Sequence, residues 1–94
     1  MTIENSRLNV IIHGHVHGVG FRYFVLKNAV NLGLKGWVKN NIDGSVEVLA
    51  EGSKNKLLML LNYLKIGPQL SYITKVEHNW SEYKDEFSQF NIVN

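Results

Sequence analysis

The chain has 94 residues, 45% hydrophobic and 19% charged, which is typical of one folded domain and not of a disordered segment. It has no cysteine, which excludes disulfides, thiolate metal sites and cysteine nucleophiles and agrees with a reducing, cytoplasmic location. The net charge is +2, no apolar run is long enough to cross a bilayer, and the N-terminus lacks the pattern of a signal peptide. We expect residues 1–94 to form a single domain in which residues 1–6 are a flexible N-terminal extension.

The first two predicted elements are a strand and a helix joined by a glycine-rich loop. Residues 7–13 alternate as a strand that places Leu8, Val10 and Ile12 on one face. Residues 21–34 have the spacing of a helix with one apolar stripe, and Gly33 is placed to end it.

A hairpin follows the first helix. Trp37–Asn40 predicts a second strand and Ser45–Glu51 a third, with the turn signal Asp43-Gly44 between them. Alternation along the third strand predicts inward-facing Val46, Val48 and Ala50. It places Glu47 and Glu51 on a solvated face.

The remaining residues complete an α+β pattern. Ser53 is a plausible N-cap for a second helix with an apolar stripe of Leu57, Leu60, Leu61 and Leu64, and Gly67-Pro68 ends it. Two last strands are expected at residues 72–80 and 87–93, with core candidates Val76, Trp80, Phe90 and Ile92. The order β-α-β-β-α-β plus a short extra C-terminal strand predicts a ferredoxin-like two-layer sandwich, an antiparallel sheet with two helices on one face.

The loop before the first helix has the chemistry of an anion site. Its glycines allow backbone N–H groups to approach a ligand, and the residues from Asn5 to Ile42 include five cations and no carboxylate. Arg22 falls in the first helical turn, where a cation is unfavourable unless an anion is shared with the helix N-terminus. The chain has eight Lys and two Arg, and bidentate phosphate recognition is the role in which the two differ. The alternative is a tight strand–helix connection with glycines for close packing.

Two neighbouring asparagines end the second strand. Asn41 fits the start of the turn, whereas alternation puts Asn40 on the same face as Val38. A neutral amide beside a phosphate site can position water without repelling the anion.

Three alternating histidines, His13, His15 and His17, suggest a metal site because His-x-His is a recurrent zinc spacing. The intervening glycines, however, suggest that the strand ends within this segment, and no carboxylate lies nearby in sequence as an outer partner. We therefore expect no metal and no cofactor. Instead, we expect His15 and His17 to line the loop and to add positive charge at mildly acidic pH.

Two motifs resemble the signatures of the acylphosphatase family. Residues 14–22, GHVHGVGFR, are close to G-x-V-Q-G-V-x-F-R, and residues 36–52 follow G-W-V-x-N-x-x-x-G-x-V-x-x-x-x-x-G. The resemblance implies hydrolysis of the carboxyl–phosphate anhydride of an acyl phosphate without metal, cofactor or covalent intermediate. It also implies that Asn40 orients the attacking water and that the phosphoryl oxygens are held by Arg22 and by the backbone N–H groups of Val16, His17, Gly18, Val19, Gly20 and Phe21. His17 departs from the family, which has Gln at this position.

Two other functions are compatible with parts of the sequence. The same loop would serve a non-catalytic, regulatory anion-binding domain, and residues 18–25 superficially resemble an RNA-binding aromatic motif. That motif belongs on the third strand, which here has no aromatic residue and two acids, so we expect no nucleic-acid partner. We expect a monomer that acts on a small acyl phosphate and releases phosphate. Carbamoyl phosphate, acetyl phosphate and 1,3-bisphosphoglycerate are all compatible with the sequence.

Overall fold

Five strands and two helices follow one another in the computed structural model, which describes residues 4–94. The strands are β1 (Asn5–His15), β2 (Lys35–Asn40), β3 (Val46–Ser53), β4 (Tyr72–Ser81) and β5 (Phe90–Ile92). The helices are α1 (Phe21–Asn31) and α2 (Lys54–Ile66). The predicted element order is confirmed.

The strands form one sheet in the order β4-β1-β3-β2-β5. β1 pairs with β3 and β4, and β2 pairs with β3, all antiparallel, whereas β5 runs parallel to β2. The ferredoxin-like α+β prediction is confirmed, with both helices on one face, but the sheet is mixed. The parallel pair arises because the chain between β4 and β5 crosses from one edge of the sheet to the other.

The core lies between the sheet and the two helices. Its fully buried members include Leu8, Val10, Ile12, Val25, Ala29, Val38, Val46, Val48, Ala50, Leu57, Leu60 and Leu64. These side chains alternate along the strands and recur every three or four residues along the helices, as predicted. Full burial of one Val or Leu side chain contributes about 1.5–3 kcal/mol to folding. Moving a strand out of this layer would lose several such contributions, so the core holds the strands in place.

Element boundaries differ from the predictions near the ends. β1 begins at Asn5, which pairs with Ser53, so the expected flexible extension at residues 1–6 is wrong for its last two residues. Residues 1–3 of that extension lie outside the described part. α1 ends at Asn31 instead of residue 34 because Gly33 takes a left-handed φ of 71° and returns Leu34 to the core.

The last strand is shorter than predicted and leaves one expected core residue partly exposed. β5 covers three residues, Phe90–Ile92, where residues 87–93 were expected. Phe90 is buried, but Ile92 is 40% exposed, so its assignment to the core is wrong. Val76 and Trp80 are partly buried and pack against the core. Ile92 lies at the end of this short edge strand and lines a pocket, which leaves it partly exposed.

The prediction that Glu51 lies on a solvated face is wrong. The connection between β4 and β5 packs over this end of the sheet, and Glu51 is 3% exposed. Its carboxylate accepts hydrogen bonds from the backbone N–H groups of Lys84 at 2.6 Å and Glu86 at 3.2 Å. Arg7 lies beside it, with Nε 3.9 Å from Glu51 Oε2, and also pairs with the Glu86 carboxylate. The buried carboxylate therefore fastens the connection to the sheet.

Candidate active site

A pocket of about 250 Å³ opens at the N-terminus of α1. Four parts of the chain form it: the loop between β1 and α1, the first turn of α1, the end of β2, and β5. The lining residues are Val16, Gly18, Gly20, Phe21, Arg22, Tyr23, Asn40 and Ile92. Every residue that the sequence placed in the site lines this pocket except His17 and Val19.

The loop before α1 lines the pocket with Gly18 and Gly20 and has backbone N–H groups without protein acceptors. Gly18 and Gly20 have φ of 70° and 77°, a left-handed conformation that costs other residues roughly 1–2 kcal/mol. Gly20 is the N-cap of α1, and its carbonyl accepts the first helical hydrogen bond, from Phe24 N–H at 3.0 Å. Within residues 4–94, no protein acceptor takes a hydrogen bond from the backbone N–H groups of residues 16–20. These groups, with the N–H groups of the first helical turn, are available to an anion.

Apolar side chains hold the loop against the core. Val16 is 1% exposed and Phe21 is 2% exposed, one at each end of the loop. Val19 is partly buried and also packs against the core, so its side chain does not line the pocket. The backbone between these anchors is therefore fixed before any ligand binds, which lowers the cost of ordering it.

Arg22 brings an unneutralised positive charge to the pocket. Its side chain is half-buried, and the first turn of α1 has no acidic residue. No carboxylate of the described residues lies within ion-pair distance of its guanidinium. A cation at a helix N-terminus without a counter-ion raises the local positive potential, which favours a bound anion.

Asn40 lines the pocket and has one side-chain atom without a protein partner. It ends β2 opposite Val46 on β3, and its Oδ1 is buried without a hydrogen-bond partner among the described residues. An unsatisfied buried acceptor costs roughly 1–3 kcal/mol, so such atoms in native proteins commonly have a ligand. Oδ1 can only accept, so an ordered water molecule is a suitable donor for it.

The neighbouring Asn41 belongs to the turn, as the sequence predicted. Its N–H donates to Ser45 O at 2.8 Å, and its Nδ2 donates to Ser45 Oγ at 3.0 Å. The Asp43 carboxylate accepts from Ser45 Oγ at 2.6 Å and from Ser45 N–H at 2.9 Å. The hydrogen bond from Ser45 Oγ has the larger effect and the one from Ser45 N–H the smaller, and together they hold the pKa of the Asp43 carboxyl below its ordinary value.

The histidines do not converge. The His13 ring pairs with Glu77 Oε2 at 2.8 Å, and the His17 ring lies 2.8 Å from the Ser45 carbonyl oxygen. β1 continues through His15 but has a register shift between His13 and Gly14, which breaks the shared face of the alternating pattern. Across residues 4–94 there is no group of three or more His, Cys, Asp or Glu side chains placed to hold a metal ion.

Two lining residues were not found from the sequence. Tyr23 follows Arg22 in the first turn of α1 and is 66% exposed at the pocket mouth. Its position beside Arg22 was the available signal. Ile92 reaches the pocket because β5 runs parallel to β2 with Ile92 opposite Val38, and no local sequence signal gives that pairing.

The fold and the pocket together define a class: a small α+β domain with a positively charged pocket at the first strand–helix junction. A sequence model described as Acylphosphatase matches residues 8–92. An acylphosphatase of Caldanaerobacter subterraneus is 43% identical over 86% of this chain and 90% of its own length. One from Pyrobaculum islandicum is 39% identical over 97% of both chains. The chain belongs to the acylphosphatase family.

Solved structures agree with this assignment. The crystal structure of acylphosphatase from Bacillus subtilis superposes with a TM-score of 0.91 at 40% identity, covering 95% of this chain and 99% of that one. The family and structural likeness support an enzyme that hydrolyses acyl phosphates, and they favour neither a regulatory anion-binding domain nor an RNA-binding module. In the described residues, no helix is both long and apolar enough to span a membrane.

Proposed function

We propose that the pocket at the N-terminus of α1 is the catalytic centre for acyl phosphate hydrolysis. The backbone N–H groups of residues 16–21 and the Arg22 guanidinium hold the phosphoryl oxygens, and the Asn40 side-chain amide orients the attacking water. One observation carries the proposal: Arg22, without a counter-ion, and Asn40, with an unpartnered buried oxygen, line the same pocket.

The reaction follows from this arrangement. Water, positioned by Asn40, attacks phosphorus while the bond to the carboxyl oxygen breaks, and the products are a carboxylate and orthophosphate. Phosphoryl transfer of this kind has a loose transition state, which requires mainly positioning and charge stabilisation. Fixed N–H groups and Arg22 provide both, without reorganisation during the reaction.

The proton of the attacking water goes to the substrate. No Asp, Glu or His side chain lines the pocket among residues 4–94 to act as a general base. A phosphoryl oxygen of the substrate accepts the proton instead, and the neutral Asn40 amide adds no negative charge that would repel the anion.

We also propose that the protein works as a cytoplasmic monomer without cofactor or nucleic-acid partner. The absence of cysteine supports the location. The composition of β3 argues against the stacking of RNA bases, because one face of this strand has Glu47, Leu49 and Glu51 where an RNA-binding module has aromatic residues. Its proposed ligands are a small acyl phosphate and the phosphate product.

The decisive experiment measures phosphate release from acetyl phosphate by the wild-type chain and by Asn40→Ala, with a phosphate monoester as the control substrate. We expect turnover of acetyl phosphate alone, and a kcat lower by at least about 10²-fold in Asn40→Ala with phosphate affinity largely retained. Phosphate binding without turnover by the wild type would instead identify a regulatory anion-binding domain. Equal loss of kcat and phosphate affinity in Asn40→Ala would make that residue structural.

A further inference from the structure

His17 connects the phosphate-binding loop to the hairpin that carries Asn40. We infer that His17 is a positioning residue for hydrolysis: its ring fixes the distance between the loop that holds phosphate and the amide that holds water. This inference rests on the roles proposed above for the loop and Asn40. The contact that carries it is the 2.8 Å separation of His17 Nε2 and Ser45 O.

The Ser45 carbonyl is a junction between the two halves of the site. Its oxygen accepts one hydrogen bond from His17 Nε2 in the loop and one from the backbone N–H of Asn41, each at 2.8 Å. Asn41 is covalently next to Asn40, so the peptide plane that Ser45 holds is the one that joins the two asparagines. Ser45 itself is 1% exposed and is fixed by Asp43. A shift of the loop relative to the hairpin must therefore break or stretch this junction.

The chemistry of the contact determines the state of the histidine. A carbonyl oxygen can only accept, so His17 Nε2 must carry a proton. The neutral Nε2–H tautomer and the imidazolium both satisfy this requirement, and the Nδ1–H tautomer does not. The side chain thus acts as a fixed donor and is not available to take a proton at Nε2. A glutamine amide also offers an N–H donor at the end of a flexible side chain.

The junction affects turnover more than binding. Phosphate touches the loop and Arg22, which Val16 and Phe21 anchor independently of His17. The attacking water instead depends on where Asn40 lies relative to the loop. Misplacement of about 1 Å in such an arrangement can lower a rate by 10²-fold. Loss of the His17 donor should therefore lower kcat while phosphate affinity changes little.

The test compares His17→Ala, His17→Gln and His13→Ala with the wild type, using acetyl phosphate turnover and inhibition by phosphate. For His17→Ala we expect kcat to fall by about tenfold or more, the scale of one lost hydrogen bond, with the phosphate inhibition constant within about twofold of wild type. His17→Gln should recover most of that loss. His13→Ala removes a ring that pairs with Glu77 outside the pocket and should leave activity unchanged.

Two further measurements separate positioning from a general structural effect. Because His17 acts through Asn40, the double variant His17→Ala/Asn40→Ala should be no slower than Asn40→Ala alone. Nitrogen NMR of the wild type should show a proton on His17 Nε2. Three results would each overturn the inference. They are additive losses of kcat in the double variant, a His17→Gln variant as slow as His17→Ala, and an Nδ1–H tautomer of His17. A wild type without turnover would reject the proposed function itself, whereas turnover unaffected by His17→Ala rejects only this role.

Discussion

Arg22 and Asn40 line one pocket from different elements, the first turn of α1 and the last residue of β2. β3 lies between β1 and β2 and is antiparallel to both. β1 and β2 therefore run in the same direction, and their C-terminal ends lie on the same side of the sheet. Val46 on β3 pairs with Ile12 on one side and with Asn40 on the other. The loop that follows β1 therefore starts close to the residue that ends β2, and this topology brings the Arg22 and Asn40 side chains to one pocket.

The charge and shape of Arg22 should both matter. Arg22→Ala is expected to abolish turnover and the protection that phosphate gives against thermal unfolding, because no other cation lines the pocket among the described residues. Arg22→Lys keeps the charge but loses the bidentate fork, so we expect phosphate binding to weaken and kcat/KM to fall by at least about 10²-fold. Lys27→Ala, an exposed cation on the same helix, serves as the control. Phosphate protection that survives Arg22→Ala would contradict the assigned role of the loop.

A pair of glycines allows the loop backbone to be tested separately from stability. Gly18 and Gly33 have φ of 70° and 71°, and an added Cβ would meet nothing within 4 Å at either position. Alanine at each should cost a similar roughly 1–2 kcal/mol of unfolding free energy, measured by urea denaturation. Gly18 lines the pocket and Gly33 ends α1, so Gly18→Ala alone should weaken phosphate binding. Equal phosphate affinities in the two variants would mean that the loop N–H groups do not hold the ligand.

Much of the fold could be predicted because local pattern and tertiary structure agree. The alternation of Leu8, Val10 and Ile12 and the stripe of α2 each follow one periodicity, and each faces the single core. Glu51 could not be assigned correctly, since alternation separates the two faces of a strand but does not reveal what covers them. The connection that buries Glu51 comes from residues 82–89, far along the chain.

Some residues of the candidate site could likewise be predicted from the sequence, and others could not. Gly18, Gly20, Arg22 and Asn40 could be found from the sequence because each residue type is unusual for its local position. Ile92 lines the pocket through a parallel pairing across the sheet, and the role of the His17 side chain depends on its distance to Ser45. Both are long-range relationships that no local spacing encodes.

The turn beside Asn40 should respond to acid. The pKa of Asp43 is lowered, because its carboxylate accepts from Ser45 Oγ and Ser45 N–H. A lowered folded-state pKa contributes stability above the ordinary Asp pKa, and this contribution is lost as pH falls through the folded-state pKa. Ser45→Ala removes the hydroxyl hydrogen bond, the larger of these causes, so NMR titration of the Asp43 carboxyl should show a higher pKa in that variant. An unchanged pKa would mean that the Ser45 hydroxyl does not stabilise the carboxylate.

Removal of metal ions should leave hydrolysis intact. Positive charge at the pocket comes from Arg22 and from backbone N–H groups, and the His13 and His17 rings contact Glu77 and Ser45 at separate places. Acetyl phosphate turnover is therefore expected to be the same before and after exhaustive treatment with a chelator. Loss of turnover that added zinc restores would contradict this prediction and support a histidine-bound metal.

The buried carboxylate of Glu51 should be a major determinant of stability but not of catalysis. Its replacement by Ala leaves Arg7 with Glu86 as its remaining carboxylate partner and removes the acceptor of the Lys84 and Glu86 backbone N–H groups. Hydrogen bonds to a charged acceptor contribute about 1.5–3 kcal/mol each, so the loss of these two should lower the free energy of unfolding measurably by urea denaturation. Glu47→Ala, on the same strand face but half-buried, should cost much less. Because Glu51 lies away from the pocket, the folded fraction of Glu51→Ala should keep the wild-type KM for acetyl phosphate, and a changed KM would show that this end of the sheet is coupled to the site.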